Sequence, residues 1–173
     1  ETKTVIVPFR HTAFPYRGMI PEKDIPFMDV LQGHRRGHTS PRAGIYWEDV
    51  TYSDKSVLIS FPTGFDISKP AVIVVFFHGN SAILDRDVLA RQQVADQVAA
   101  SGLNAVLVAP QLARDALDSS AGSFWTPGVF AEWERLDAVS DFGGHECQVA
   151  AVVGAAHASV DRFVPRECHR DRR

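Results

Sequence analysis

The sequence predicts an α/β fold, and three observations support this. Residues 71–77 (AVIVVFF) form a continuous apolar, β-branched run, which is typical of a strand buried on both faces of a parallel sheet. Residues 85–100 place their apolar side chains roughly on one helical face, and residues 104–109 (NAVLVA) form a second apolar strand. A strand, a helix and a strand within about 40 residues form a βαβ unit with a right-handed crossover.

The part of the chain before this unit, residues 1–69, predicts leading antiparallel strands and loops. Residues 4–9 (TVIVPF), 45–52 (IYWEDVTY) and 56–61 (SVLISF) are rich in β-branched and aromatic residues, so each is expected to be a strand. The stretch between the first two is rich in Pro, Gly and Arg and predicts loops.

The part after the unit is less regular. Residues 112–117 predict a helical turn, and Pro127 is expected to begin a short helix. Residues 148–153 (QVAAVV) fit a strand or the start of a helix. We expect one domain over residues 1–173, in which 70–136 form the core that contains the βαβ unit and 137–173 form an atypical tail, either disordered or read from a shifted frame.

Composition excludes several classes of protein. The chain has 173 residues, of which 45% are hydrophobic and 23% charged, as in ordinary globular domains. A net charge of −3 does not favour nucleic acid as a partner, and no apolar run approaches the ~20 residues of a membrane span. We therefore expect a small-molecule substrate or ligand, with neither nucleic acid nor a membrane as partner and no cofactor.

The most informative polar residues are His78, Gly79 and Asn80, which directly follow the strand 71–77. A turn there leaves backbone N–H groups at the open end of the sheet, and glycine allows a ligand to approach the backbone. Such donors can hold the negative oxygen of a tetrahedral intermediate. A glycine turn in an unrelated α/β protein remains the alternative.

With its helix and second strand, this segment resembles the third strand, first helix and fourth strand of an α/β-hydrolase, closest to the esterase and lipase branches. The resemblance implies that the backbones of Gly79 and Asn80 are oxyanion-hole donors and that His78 shapes the turn. Ser81 and Gln111 are expected to contact the substrate.

The chain departs from that family in lacking G-x-S-x-G, the usual turn that carries the nucleophilic serine. The nearest match is residues 118–122 (DSSAG), where Ser120 is a weak candidate, but the helix-like residues 112–117 before it provide no strand.

Residues 154–158 (GAAHA) follow a strand-like run, but there the nucleophile position holds Ala156. His157 and Ser159 are the weak candidates in this segment.

Two further groups of polar residues are not assigned a catalytic role. One group does not have the spacing of a zinc site, so no metal is expected: His145, Cys147, Cys168 and His169. Cys147 and Cys168 allow either one disulfide or two free thiols. The other group predicts a polar loop, either solvated or covering the mouth of a site: His34, Arg35, Arg36, His38 and Thr39.

These observations predict an α/β-hydrolase-like protein whose ancestral activity is serine-dependent ester hydrolysis, truncated and inactive as given. The alternative is a noncatalytic module that binds a small anion or carbohydrate. The strand 71–77 would have an open edge and promote self-association unless residues 148–153 or another chain pair with it. An exported protein, periplasmic or secreted, is slightly favoured because the chain starts at Glu1.

Overall fold

A computed structural model describes residues 2–133 and 148–152. The strands of these residues, in chain order, are β1 (Lys3–Pro8), β2 (Met19–Ile20), β3 (Ile25–Pro26), β4 (Val30–Gln32), β5 (Arg35–Ser40), β6 (Gly44–Trp47), β7 (Ser56–Phe61), β8 (Val72–Phe76), β9 (Ala105–Pro110) and β10 (Gln148–Val152). The helices are α1 (Glu48–Thr51), a π-helix (Leu84–Arg91), α2 (Val94–Ala100), a 3-10 helix (Gly122–Trp125) and α3 (Val129–Glu132).

Five strands form a mixed central sheet in the order β1-β7-β9-β8-β10. The pairs β1–β7 and β7–β9 are antiparallel, whereas β8 is parallel to both β9 and β10. This arrangement confirms the α/β class, the βαβ unit and the leading antiparallel strands. The edge of β8 for which an open edge was considered is paired with β10, so the premise for self-association at that edge is not met.

The sheet is buried on both faces, as the continuous apolar runs predict. Along β9, Val106 and Val108 pack into the cluster on one face, and Leu107 packs into the cluster on the other. The second face is covered by the π-helix and α2 through Leu84, Val88 and other side chains. Because residues of the two clusters alternate along β7, β8 and β9, these three strands lie at the centre of the core.

The prediction of one continuous helix over residues 85–100 is wrong. The structure has a π-helix followed by α2, with Gln93 between them at φ 52° in the left-handed region. The Gln92 N–H donates to the Asp87 carbonyl five residues back, at 2.7 Å, which is the bond of a π-helix. Apolar periodicity alone does not report such a change in winding, because both segments still bury one face.

The region between β1 and β7 is also more ordered than predicted. The polar loop expected around Arg35 is strand β5, the centre of an antiparallel sheet β4-β5-β6, and β2 pairs with β3. The strand expected over residues 45–52 ends at Trp47, and α1 begins at Glu48. An aromatic cluster of Phe14, Phe27 and Tyr52 packs beneath these elements, and its members have no regular spacing in the sequence.

The end of the described chain is partly as predicted. Residues 112–117 form turns rather than the helical turn expected, and the short helix after Pro127 is α3. Residues 148–152 form a strand, which resolves the two alternatives for that segment. Within the described residues, no helix combines the length and apolarity that crossing a membrane requires. The candidates His157 and Ser159 and both cysteines lie outside the described residues.

Candidate functional site

Two loops meet at the carboxyl edge of the central sheet. Residues 77–83 follow β8 and residues 111–118 follow β9. Because these neighbouring strands are parallel, their carboxyl ends lie at the same edge, which is where ligands usually bind in open α/β sheets.

His78 is buried between the two loops as a neutral side chain. Its Nε2 lies 2.8 Å from both the Leu112 N–H and the Gln111 side-chain amide nitrogen, and its Nδ1 lies 2.9 Å from the Gly79 carbonyl oxygen. A backbone N–H can only donate, so Nε2 accepts and the ring proton is on Nδ1. Burial, the largest effect, lowers the pKa of His78 below its usual value and favours this neutral form.

Gln111 holds this arrangement together and is only 1% exposed. Its Oε1 accepts from the Leu84 N–H at 3.1 Å, and its amide nitrogen donates to the Ala82 carbonyl at 3.1 Å as well as to His78. That Gln111 contacts the substrate stays a prediction. Its polar atoms are all used within the fold, so it positions the loop after β8.

The backbone of Ser81 is held in an unusual conformation, with φ 57°. Its N–H donates to the Ala116 carbonyl at 2.7 Å, and its carbonyl accepts from Arg86 Nη2 at 2.7 Å. The same Arg86 nitrogen lies 2.9 Å from Asp115 Oδ1. These bonds fix the turn, since a non-glycine residue enters the left-handed region only where its surroundings enforce it.

Asp87 supports the turn from the π-helix. Its Oδ2 accepts from the Ile83 N–H at 2.8 Å, and it also pairs with Arg86 and Arg91. The backbone hydrogen bond from Ile83 is the largest cause that lowers the pKa of Asp87, to about 2. This carboxylate is therefore ionised at neutral pH and anchors both arginines.

The backbone N–H groups of Gly79 and Asn80 take no part in this hydrogen-bond network. Within the described chain neither N–H donates to another group, whereas the next one, that of Ser81, does. A Cβ added at Gly79 would meet no atom within 4 Å, so this side of the loop is open. Two consecutive free donors on a fixed loop can bind one negatively charged oxygen.

The Asn80 side chain joins the loop to a third segment, the turn between β5 and β6. With its oxygen facing Arg42, the amide accepts from Arg42 Nη1 at 2.9 Å and donates to the Asp118 carbonyl at 3.3 Å. The turn is also tied to the loop after β9, because the Ser40 hydroxyl donates to the Leu117 carbonyl at 3.2 Å.

Ser120 lies near the site but is bonded to a carboxylate. Its N–H and hydroxyl both donate to Asp118 Oδ1, at 2.9 and 2.6 Å, which forms an Asx turn. The other carboxylate oxygen accepts from the Tyr52 hydroxyl at 2.7 Å, and burial together with Asp118 raises the pKa of Tyr52. No hydrogen bond joins Ser120 to a histidine among the residues described.

No family model, no curated protein and no solved structure matches this chain.

Metal binding has no support in the described part of the chain, where no group of three or more His, Cys, Asp or Glu is placed to hold an ion. The four residues weighed for zinc, His145, Cys147, Cys168 and His169, lie outside it.

Sequence reasoning identified His78, Gly79 and Asn80 but missed the residues that surround them. Arg42 and Arg86 were not singled out, because nothing in the sequence near either residue links it to the loop after β8. Asp118 was noted only as a departure from G-x-S-x-G. One local signal was available: Asp118 two residues before Ser120 is typical of an Asx turn.

Proposed function

We propose that this chain is an α/β-hydrolase-like protein whose loop after β8 binds the negative oxygen of an ester-derived ligand. The ancestral activity would be serine-dependent ester hydrolysis. The observation that carries the proposal is the pair of backbone N–H groups at Gly79 and Asn80, which donate to no described group and lie on a loop that hydrogen bonds of His78 and Ser81 hold in place. The sheet order supports it, because β8 lies between β9 and β10 as the third strand does between the fourth and fifth strands of that family.

The chemistry of such a loop depends on its being fixed before the ligand arrives. His78 and Gln111 join it to the end of β9, so the two donors need no reorganisation when charge develops on an oxygen. His78 contributes as a neutral group, since both ring nitrogens are already bonded. It therefore shapes the loop and does not act as a general base.

Hydrolysis also requires an activated nucleophile, and the described residues do not provide one. Ser120 donates its proton to Asp118 and has no histidine partner there. We therefore expect the chain to bind oxyanions with little or no ester turnover. A fluorophosphonate probe should fail to label Ser120 or Ser159 stoichiometrically, and p-nitrophenyl acetate should be hydrolysed at the background rate. Stoichiometric labelling of either serine would show that this half of the proposal is wrong.

Oxyanion binding is tested by titrating the isotopically labelled chain with methylphosphonate, a tetrahedral anion, and following the amide resonances by NMR. The Gly79 and Asn80 signals should shift together and saturate. The Ser81 amide is the internal control, because its N–H is committed to Ala116. If only distant amides respond, or none do, the loop is not an oxyanion site.

A noncatalytic binding module is the second candidate, favoured by the same donors together with the engaged state of Ser120. Arg35 is not available to bind a ligand of such a module, because its side chain is already engaged. Its guanidinium pairs with Asp49 at 2.8 Å and stacks on Trp47. A ligand at about 100 times its Kd should raise the free energy of unfolding by ~2.7 kcal/mol without being consumed. Turnover of that ligand would favour the hydrolase instead.

A further inference from the structure

Arg42 is an exposed cation at the rim of the loop after β8, and its position is fixed from both sides. Its backbone N–H donates to the Ser40 hydroxyl at 3.3 Å, and its Nη1 donates to the Asn80 side-chain oxygen at 2.9 Å. The guanidinium therefore contacts the side chain of Asn80, one of the two residues whose backbone N–H groups are proposed to bind the oxyanion. We call residues 77–83 the oxyanion loop.

The guanidinium has donors left over. An arginine carries five N–H donors, and the hydrogen bond to Asn80 uses one. Over the described residues, Arg42 forms no salt bridge, whereas Arg17, Arg35, Arg86, Arg91 and Arg114 each do. Arg42 therefore differs from these arginines in presenting its charge to a ligand.

The carboxylate of Asp118, whose backbone carbonyl contacts Asn80, is already hydrogen-bonded to other side chains. Its Oδ1 accepts twice from Ser120 and its Oδ2 accepts from Tyr52, so both carboxylate oxygens are already hydrogen-bonded. Only the Asp118 backbone carbonyl reaches Asn80. A ligand carboxylate would thus meet Arg42 without displacing an existing ion pair.

We propose that Arg42 makes the site selective for ligands that carry a second anionic group, such as a carboxylate, close to the oxygen held by Gly79 and Asn80. This rests on the proposed function and names its substrate class: anionic esters, for example monoesters of dicarboxylic acids. A planar guanidinium with free N–H groups suits a carboxylate, which it can bind through two parallel hydrogen bonds.

The test compares phosphonoacetate with its carboxamide analogue, which has nearly the same shape but lacks the carboxylate charge. By NMR titration, phosphonoacetate should bind the wild-type chain about tenfold more tightly, as expected for one partly exposed charge-assisted pair. The R42Q variant should lose this preference while its affinity for the carboxamide stays the same. R42K should retain part of the preference, and added salt should weaken it in the wild type.

The matched control is R36Q, which removes the same charge from exposed Arg36 on neighbouring β5 and should leave the preference intact. An equal loss in R36Q would mean that general surface charge is responsible, which overturns the role of Arg42. Equal affinities of the two ligands for the wild type, with Gly79 and Asn80 amides still shifting, overturn the role of Arg42 alone. Failure of both ligands to shift those amides overturns the proposed function as well.

Discussion

The loops at the amino and carboxyl ends of β8 and β9, here called the amino and carboxyl edges of the sheet, are joined in the same way but differ in the groups that join them. At the amino edge of β8 and β9, Asn104 joins the loops by accepting from the Asp66 N–H at 2.9 Å and donating to the Asp66 and Pro70 carbonyls at 2.9 and 3.0 Å. At the carboxyl edge, His78 and Gln111 join the loops. In each case a polar side chain from one loop satisfies backbone groups of another.

The difference lies in how deeply the joining side chains are buried: His78 and Gln111 are buried, whereas Asn104 is only half-buried. The amino edge contains a groove of about 220 Å³ lined by residues such as Thr63, Phe65 and Leu103. Among its polar groups, Asp66 is held by Ser68 and Lys69. At the carboxyl edge, the N–H groups of Gly79 and Asn80 donate to no described group and lie on a loop that the buried His78 and Gln111 fix. A groove by itself is therefore weaker evidence for a site than available donors on a loop fixed by buried side chains.

The largest effect is expected from removing the buried link at the carboxyl edge. Gln111→Leu keeps the side-chain volume but leaves the Leu84 N–H without its partner and the Ala82 carbonyl with only the bond from the Asp115 N–H. We expect a loss of about 3 kcal/mol in the free energy of unfolding, because buried polar groups would be stranded. Urea denaturation measures this, and methylphosphonate binding should fall with it.

The control for this substitution is Gln97→Leu, since the Gln97 side chain is exposed and donates one hydrogen bond, to the Gln92 carbonyl. It should cost less than about 0.5 kcal/mol. Similar losses in the two variants would mean that Gln111 is not a special link.

A smaller effect is expected at the opposite edge. Asn104→Ala removes four hydrogen bonds from a half-buried site and should cost about 1.5 kcal/mol in urea denaturation. Methylphosphonate affinity should stay unchanged, because this edge has no part in the oxyanion loop. A weakened affinity in this variant would show that the amino edge contributes to ligand binding at the carboxyl edge, which contradicts this prediction.

The two edges should also differ in how their contribution to the free energy of unfolding depends on pH. This effect is smaller, because it comes from the protonation of one residue, His78. Burial lowers the pKa of His78 in the folded chain below the value of 6.5 expected when unfolded. Between these two pKa values the unfolded state binds more protons, so the free energy of unfolding falls as pH falls below about 6.5. Asp66, held by Ser68 and Lys69, has a pKa of about 2 and adds a loss only below its ordinary value of 3.8.

Urea denaturation from pH 7.5 to 4.5 measures the effect of His78, and an NMR titration of its ring checks the pKa directly. The H78Q variant should show a shallower dependence on pH than the wild type. A His78 pKa at or above 6.5 in the folded chain would contradict the assignment of a neutral, buried ring.

The smallest effect on stability is expected from Gly79→Ala. The residue is outside the left-handed region and a methyl group there would meet open space, so the free energy of unfolding should change by less than about 0.5 kcal/mol. Methylphosphonate binding should nevertheless weaken, because the methyl group obstructs approach to the N–H groups. Unchanged binding would place the ligand elsewhere. A large destabilisation would mean that the loop is more tightly packed than it is here.

Local patterns in the sequence were enough to predict the centre of the fold. The runs at residues 71–77 and 104–109 are strands β8 and β9 to within one residue at each end, because a strand buried on both faces needs apolar residues at every position. The Ser56–Phe61 strand was predicted with its observed bounds. The loop with His78 and Gly79 followed directly from its place after such a run.

Tertiary structure decided the rest. The break at Gln93, the strand β5 and the link between His78 and Gln111, 33 residues apart, depend on contacts that no short window of sequence contains. The hydrogen bond from Arg42 to the Asn80 side chain likewise depends on the tertiary structure. Apolar burial repeats along the chain and so appears in the sequence. A hydrogen bond between distant side chains has no period, and only the folded chain shows which polar groups it leaves free.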